Sequence, residues 1–233
     1  MRVNDLTADE LYRLQTIIEW IHDEYLAWTS PFERHQLPEK AAMEGIRRGE
    51  PRARYLTFSL LLSYDTDSRR LGETTRRLWD DCPWLFDPRT LVVERSRTDV
   101  ATIFERNGIR YWQRDAAAWS QLASILVESF RGSVLSLVAS VVCDALRLFG
   151  RVRTEGFPVL DGERSGPRWC RLLHEDVVRL YRINRIPFAV DGSVHRVSKE
   201  LVGLFESTEA VRAFWREFCS LSGFDPVLFD QLR

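Results

Sequence analysis

Apolar residues recur at three- and four-residue steps along almost the whole chain, the spacing that lines one face of a helix. Leu11, Leu14, Ile18, Ile21 and Tyr25 follow Thr7-Ala8-Asp9-Glu10. That tetrad is a capping box, in which the hydroxyl and the carboxylate each satisfy a free backbone N–H at the helix start. Pro31 ends this helix or follows it closely. Leu37-Pro38-Glu39 opens a second, short helix that Gly49 stops. From Arg52 the run Leu56, Phe58, Leu60, Leu61, Leu62 reads as a mostly buried helix, broken at Ser63-Tyr64-Asp65-Thr66-Asp67. A helix with a polar face follows, carrying Leu71, Thr75, Leu78 and Trp79.

Asp87-Pro88 pairs an N-cap with a proline, and Thr98-Asp99 precedes a helix that Asn107-Gly108 closes. Between Trp112 and Phe130 one face holds Trp112, Ala116, Trp119, Leu122, Ala123 and Leu126. Past Gly132-Ser133, the residues Val134, Leu137, Val138, Val141, Val142, Ala145 and Leu146 predict one helix, apolar on most sides and central to a bundle. Gly150, Gly156, Pro158, Gly162, Gly166 and Pro167 then concentrate chain breakers in a loop or hairpin. Trp169, Leu172 and Leu173 give a short helix, Val177–Tyr181 a single helical turn. Asp191-Gly192-Ser193 caps a helix with Val194, Val197, Leu201 and Val202 inward. Two more helices close the chain, one near Thr208–Leu221 ended by Gly223 and one opened by Asp225-Pro226. No stretch alternates with period two, so the expected class is all-α.

With 33 basic and 34 acidic residues the net charge is −1, so no global field favours a polyanion. All but Lys40 and Lys199 of the basic residues are arginine. Arginine grips phosphate or carboxylate bidentately and cannot act as an amine nucleophile. Cys82, Cys143, Cys170 and Cys219 form no CxxC pattern, and His22, His35, His174 and His195 no HxxxH or HExxH spacing. The expectation is therefore no metal, no iron–sulfur cluster and no cofactor. Trp112, Trp119, Trp169 and Trp215 fall at helical spacing, as core residues do. The longest apolar runs are too short for a membrane span, and no secretory signal opens the chain, so a soluble cytoplasmic protein is expected.

Three segments carry chemistry, in order. Phe58 to Ser63 followed by Thr66-Asp67 is an apolar helix ending in a polar turn. Phe157-Pro158-Val159-Leu160-Asp161-Gly162-Glu163-Arg164-Ser165-Gly166 is a glycine-rich turn running into a helix. Its glycines let backbone N–H groups approach phosphate oxygens, with Arg164, Arg168 and Arg171 adding charge; a plain surface loop accounts for it equally well. Third comes Ile186-Pro187-Phe188-Ala189-Val190-Asp191-Gly192-Ser193-Val194-His195-Arg196-Val197. Here Asp191 either caps the following helix or points into a cleft, where donors at the helix start favour its ionised form.

Together these resemble the helix–hairpin–helix DNA glycosylase superfamily, in its "LLS" turn, its "LPGVGRKTA" hairpin (with one extra residue here) and its "VPVDTHVxRV" segment, over residues 52 to 203. The resemblance implies a two-lobed helical fold: a middle lobe of residues 52–149, and a second lobe of 1–51 and 150–233 holding the hairpin-like segment (157–173) and Asp191, with a cleft between. It implies a base excision repair enzyme that hydrolyses the N-glycosidic bond of a damaged or mispaired base. Asp191 would be the catalytic carboxylate. Gly162, Arg164, Gly166, Arg168, Arg171, Tyr64 and Arg196 would contact double-stranded DNA, Tyr64 by stacking into the gap that a flipped base leaves. The chain would act as a monomer on the nucleoid. Bifunctional relatives have a lysine where Arg164 stands, so the implied chemistry is monofunctional, with water as nucleophile. The alternative is a non-catalytic DNA-binding or protein-interaction module on the same helices.

Overall fold

The computed structural model describes residues 2–27, 42–62, 68–187, 190, 192–203 and 205–223. Eleven α-helices and four short 3-10 turns lie among them, with no strand, so the protein is all-α. No single helix is long and apolar enough to cross a membrane. Two compact units form: one from Met1–His35 with Pro187–Arg233, the other from Gln36–Ile186. Residues 150–186 thus pack in the same unit as 52–149.

In the first unit, α1 (Ala8–Ala27) starts at the expected capping box. The Thr7 N–H donates to the Glu10 carboxylate at 2.8 Å and the Glu10 N–H to the Thr7 hydroxyl at 3.3 Å. Leu14 and Ile18 join Phe205, Val211, Phe214, Trp215 and Phe218 in a small core. Here α10 (Gly192–Val202) lends Val194, Leu201 and Val202 to the core's edge, and α11 (Thr208–Ser222) ends at Gly223 with φ +74°. The Trp215 indole donates to the Ser198 hydroxyl at 2.7 Å, satisfying two buried polar groups at once.

The larger unit is built on α2 (Glu50–Ser59), buried from Tyr55 through Ser59 and continued by a 3-10 turn of three buried leucines. Gly49, expected to stop an earlier helix, instead precedes α2 with φ +88°; Leu37-Pro38-Glu39 lies outside the described residues. Beside α2 stands α3 (Ser68–Asp81), and α6 (Trp112–Phe130) packs on α4 (Pro88–Val93) and α5 (Arg97–Arg106). The sequence's inward face of α6 is borne out: Ala116, Trp119, Leu122, Ala123 and Leu126 are fully buried. Trp119 centres an aromatic cluster, its ring 4.9 Å from Phe58, 5.0 Å from Phe104 and 5.3 Å from Phe86. Its indole donates to the Leu85 carbonyl. Helix α5 begins at Arg97, ahead of the Thr98-Asp99 pair expected to precede it. Ser96 is its cap and Asp99 the answering residue of a capping box, the two joined by reciprocal hydrogen bonds.

The single helix expected over Val134–Leu146 is two. Helix α7 (Val134–Ser140) stops, Val142 and Cys143 take φ +57° and +54°, and α8 (Ala145–Thr154) starts afresh at Asp144, whose carboxylate accepts the Arg147 N–H at 3.1 Å. Apolarity on all sides meant burial on the two halves, not continuity. A tertiary contact makes the break: Tyr181 N–H donates to the Cys143 carbonyl at 2.8 Å and Ala145 N–H to the Tyr181 carbonyl at 2.9 Å. Those bonds also replace the helical turn expected at Val177–Tyr181.

Glu50 shows why α7 starts where it does. Its carboxylate accepts the Ser133 hydroxyl (2.8 Å) and the Val134 and Leu135 N–H groups (2.8 and 2.9 Å), three donors from the start of another helix. Arg54 donates to Glu50 (3.0 Å), Asp87 (2.7 Å) and the Gly132 carbonyl (2.9 Å), tying α2, α4 and α7 together.

Candidate nucleic-acid interface

The glycine- and proline-rich segment is less of a loop than its composition predicts. Residues 150–154 belong to α8, the turn spans 155–164, and α9 (Ser165–Asp176) follows. Gly150 and Thr154 sit in a regular helix because the arginines and apolar residues between them keep helical spacing. The product is helix, turn, helix, pinned by the buried Phe157 and Leu160. The two helices pack on each other, and α9 also packs on α2.

Gly166 lies in the first turn of α9, where a Cβ would stand 2.3 Å from the Leu160 carbonyl oxygen and 2.4 Å from the Phe149 ring. Only glycine fits so close an approach. Its N–H donates to the Gly162 carbonyl and the Gly162 N–H to the Val159 carbonyl, both at 3.1 Å. Pro167 has no N–H. The two glycines therefore serve packing and turn geometry, and their donors are already taken within the chain.

Among the arginines of this segment, Arg164 is exposed at the end of the turn and Arg168 half-exposed. Arg171 is 4% exposed, in the run Trp169–Leu173 that is buried throughout, so its guanidinium is not offered to a phosphate at the surface. Arg196 is exposed on α10, in the other unit. Tyr64 and Asp191 lie outside the described residues; Asp191 immediately precedes the first residue of α10. Of the expected contacts, Gly162 and Arg164 lie in the turn and Gly166 and Arg168 at the start of α9 that follows it.

Trp119, Trp169 and Trp215 are core residues, each indole N–H satisfied internally; Trp169 donates to the Thr57 hydroxyl at 2.9 Å. Trp112 is half-buried against the core of the larger unit, which also holds Trp119 and Trp169. All four cysteines are free thiols. Cys170 is fully buried, and burial pushes its thiol far above the ordinary value. Lys199 is exposed on α10. Among the described residues no group of three or more His, Cys, Asp or Glu is arranged to hold a metal.

Sequence reasoning passed over one segment. Arg179, Tyr181, Arg182, Asn184 and Arg185 are all exposed, in a stretch (177–186) that contains no acid. Spacing of period 3.6 hid it. The signal was compositional: three arginines and a tyrosine within seven residues. No family model and no curated protein matches the chain.

Proposed function

We propose that this protein is a monofunctional DNA glycosylase-like enzyme of base excision repair, whose hairpin-like segment belongs to the larger unit together with residues 52–149. The observation that carries this reading is the helix–turn–helix of residues 145–176. It occupies the segment similar to the family's DNA-gripping hairpin, closes on a glycine that no other residue can replace, and presents Arg164 to solvent. The order of the three matching segments and the all-α class support it further.

The chemistry follows from the residues at the matched positions. Asp191 as an ionised carboxylate offsets the positive charge that develops on the sugar as the C1′–N bond lengthens. Water bonds to C1′, the base departs with the electron pair of the broken bond and takes up a proton, and the strand stays intact. Arg164 cannot supply the amine that a Schiff base requires, because its guanidinium stays protonated. It grips phosphate instead.

The test is release of free base from a panel of lesion- and mismatch-containing duplexes. Release by the wild-type chain that Asp191→Asn abolishes, without strand nicking and without a borohydride-trapped adduct, is the expected result. Strand cleavage through a trapped intermediate would overturn the monofunctional assignment. Duplex binding without release from any substrate would leave the non-catalytic module, which the arginine at the lysine position favours.

A further inference from the structure

We infer that residues 140–154 and 177–186 form a second nucleic-acid contact, which takes an unpaired base on Tyr181 and the adjoining phosphates on Arg147, Arg179 and Arg185. The two segments are distant in sequence and joined in space by the paired hydrogen bonds between Cys143, Ala145 and Tyr181. The 3-10 turn Ile183–Arg185 packs on α8, which brings its arginine to the helix that carries Arg147.

Charge is the first argument. These segments hold six arginines (147, 151, 153, 179, 182 and 185) against a single acid, Asp144, in a chain whose net charge is −1. Acids resume only at Glu155 and Asp176. Asp144 pairs with Arg182, and Glu155 with Arg151 at 2.7 Å. Among the described residues no ion pair engages Arg147, Arg179 or Arg185, and all three are exposed. A surface with this excess fits a polyanion.

An aromatic ring and an aliphatic side chain stand exposed amid that charge. Tyr181 is 71% exposed and Val142, on the other segment, 69%. An exposed aromatic ring among arginines is the arrangement by which proteins hold unpaired nucleotides: the ring stacks on a base face, and the guanidinium groups follow the backbone. A protein partner would be expected to find a larger apolar surface and fewer uncompensated cations.

Backbone conformation is the third. Val142, Cys143 and Arg182 are all left-handed without being glycine, at φ +57°, +54° and +55°. Such residues persist where the surroundings over-determine them, and they cluster at binding sites. Here the bridge and the Asp144–Arg182 pair hold the corner, so Tyr181 is presented on a rigid mount rather than on a free loop.

This contact needs none of the Asp191 chemistry, and it is tested separately from it. Full-length protein is titrated with fluorescein-labelled dT20 and rU20, and with a duplex bearing one unpaired nucleotide against the fully paired duplex, at several salt concentrations. Saturable binding of a single strand, and tighter binding of the interrupted duplex, are expected; the dT20 to rU20 ratio tells DNA from RNA. Tyr181→Ala weakens single-strand binding about tenfold and Tyr181→Phe leaves it within about twofold, as for stacking of one base. Arg179→Ala with Arg185→Ala flattens the log–log salt slope by about 1.4, two single-strand phosphates' worth. Tyr181→Ala binding equal to wild type, or no saturable binding of any probe at 50 mM salt, overturns the contact. Asp191→Asn leaves it unchanged. Base release with binding indifferent to Tyr181 therefore defeats this inference alone, and Tyr181-dependent binding without any base release defeats the glycosylase reading alone.

Discussion

Gly166 and Gly150 stand sixteen positions apart in the segment whose composition reads as loop, and the structure gives their replacement by alanine opposite signs. At Gly166 the new methyl group meets a carbonyl oxygen at 2.3 Å and an aromatic carbon at 2.4 Å, roughly an ångström inside ordinary contact. The carbonyl is backbone, and the Phe149 ring is itself held in the core, so neither swings aside. Overpacking of this kind costs about 1–3 kcal/mol, and two simultaneous overlaps place it near 3. Alanine's better helix propensity returns about 0.5–1 kcal/mol. The expected net loss for Gly166→Ala is about 2 kcal/mol. At Gly150, inside α8, a Cβ meets nothing within 4 Å. Only the propensity acts there, and Gly150→Ala gains about 0.5–1 kcal/mol. Urea unfolding followed by tryptophan fluorescence and by far-UV circular dichroism reads both, as shifts in midpoint at constant slope. Two probes are needed because two compact units contribute. Gly166→Ala unfolding at or above the wild-type midpoint would refute the close approach of α9 to α8, and with it the helix–turn–helix that carries the functional reading.

Glu50→Ala strips three donors at the start of α7 of their acceptor and removes one of the three acceptors Arg54 donates to; a loss of about 3 kcal/mol is expected in the same unfolding assay, and a smaller one for Glu50→Gln. Asp87 and Asp115 should give opposite pH dependences in thermal melts between pH 3 and 7. For Asp87, burial pushes the carboxyl up, but the Thr90 hydroxyl and N–H and the Arg54 guanidinium together hold it below its ordinary 3.8. Its stabilisation is full above the unfolded value and is lost as the pH falls through the folded one, so Asp87→Asn shows a shallower acid decline. For Asp115, burial outweighs Arg114 and raises the carboxyl above 3.8. Stability therefore falls as the pH rises from the unfolded value through the folded one, and Asp115→Asn gains relative to wild type toward neutral pH. On the glycosylase reading, Arg164→Lys places an amine beside the sugar, and a borohydride-trapped adduct with abasic DNA is expected where wild type gives none. A lysine variant that binds the DNA without forming the adduct would put residue 164 away from C1′.

What was legible in the sequence was whatever depended on neighbours along the chain. The capping box at Thr7, the N-cap at Asp87, the inward stripe of α6 and the stop at Gly223 are local devices, and each stands where its residues predict. What escaped depended on contacts at long range. Nothing near Val142 marks a helix break, because its cause is Tyr181, far along the chain. Nothing near Val134 announces that its N–H will be capped by Glu50. Gly150 reads as a breaker and is tolerated in mid-helix, since a lone glycine costs less than the packing of Leu148, Phe149 and Val152 returns.

Charge makes the same point for function. A sum of −1 excludes a protein that is basic overall, and it says nothing about where the arginines go. Folding sorts them. Some are drawn into structure: Arg54 links three helices, Arg76 donates to the Ala42 and Glu44 carbonyls, and Arg171 is buried. Others, such as Arg147, Arg179 and Arg185, are left exposed and, among the described residues, in no ion pair. A near-neutral chain can therefore present a basic surface where acids sit elsewhere, as Glu10, Asp87 and Asp99 do at other helix starts. A capping carboxylate does not thereby lose its arginine: Asp87 caps α4 and pairs with Arg54, and Asp144 caps α8 and pairs with Arg182. Arginine in place of lysine then settles the kind of surface left over. A guanidinium can grip phosphate and stack on a base, and it cannot act as an amine nucleophile.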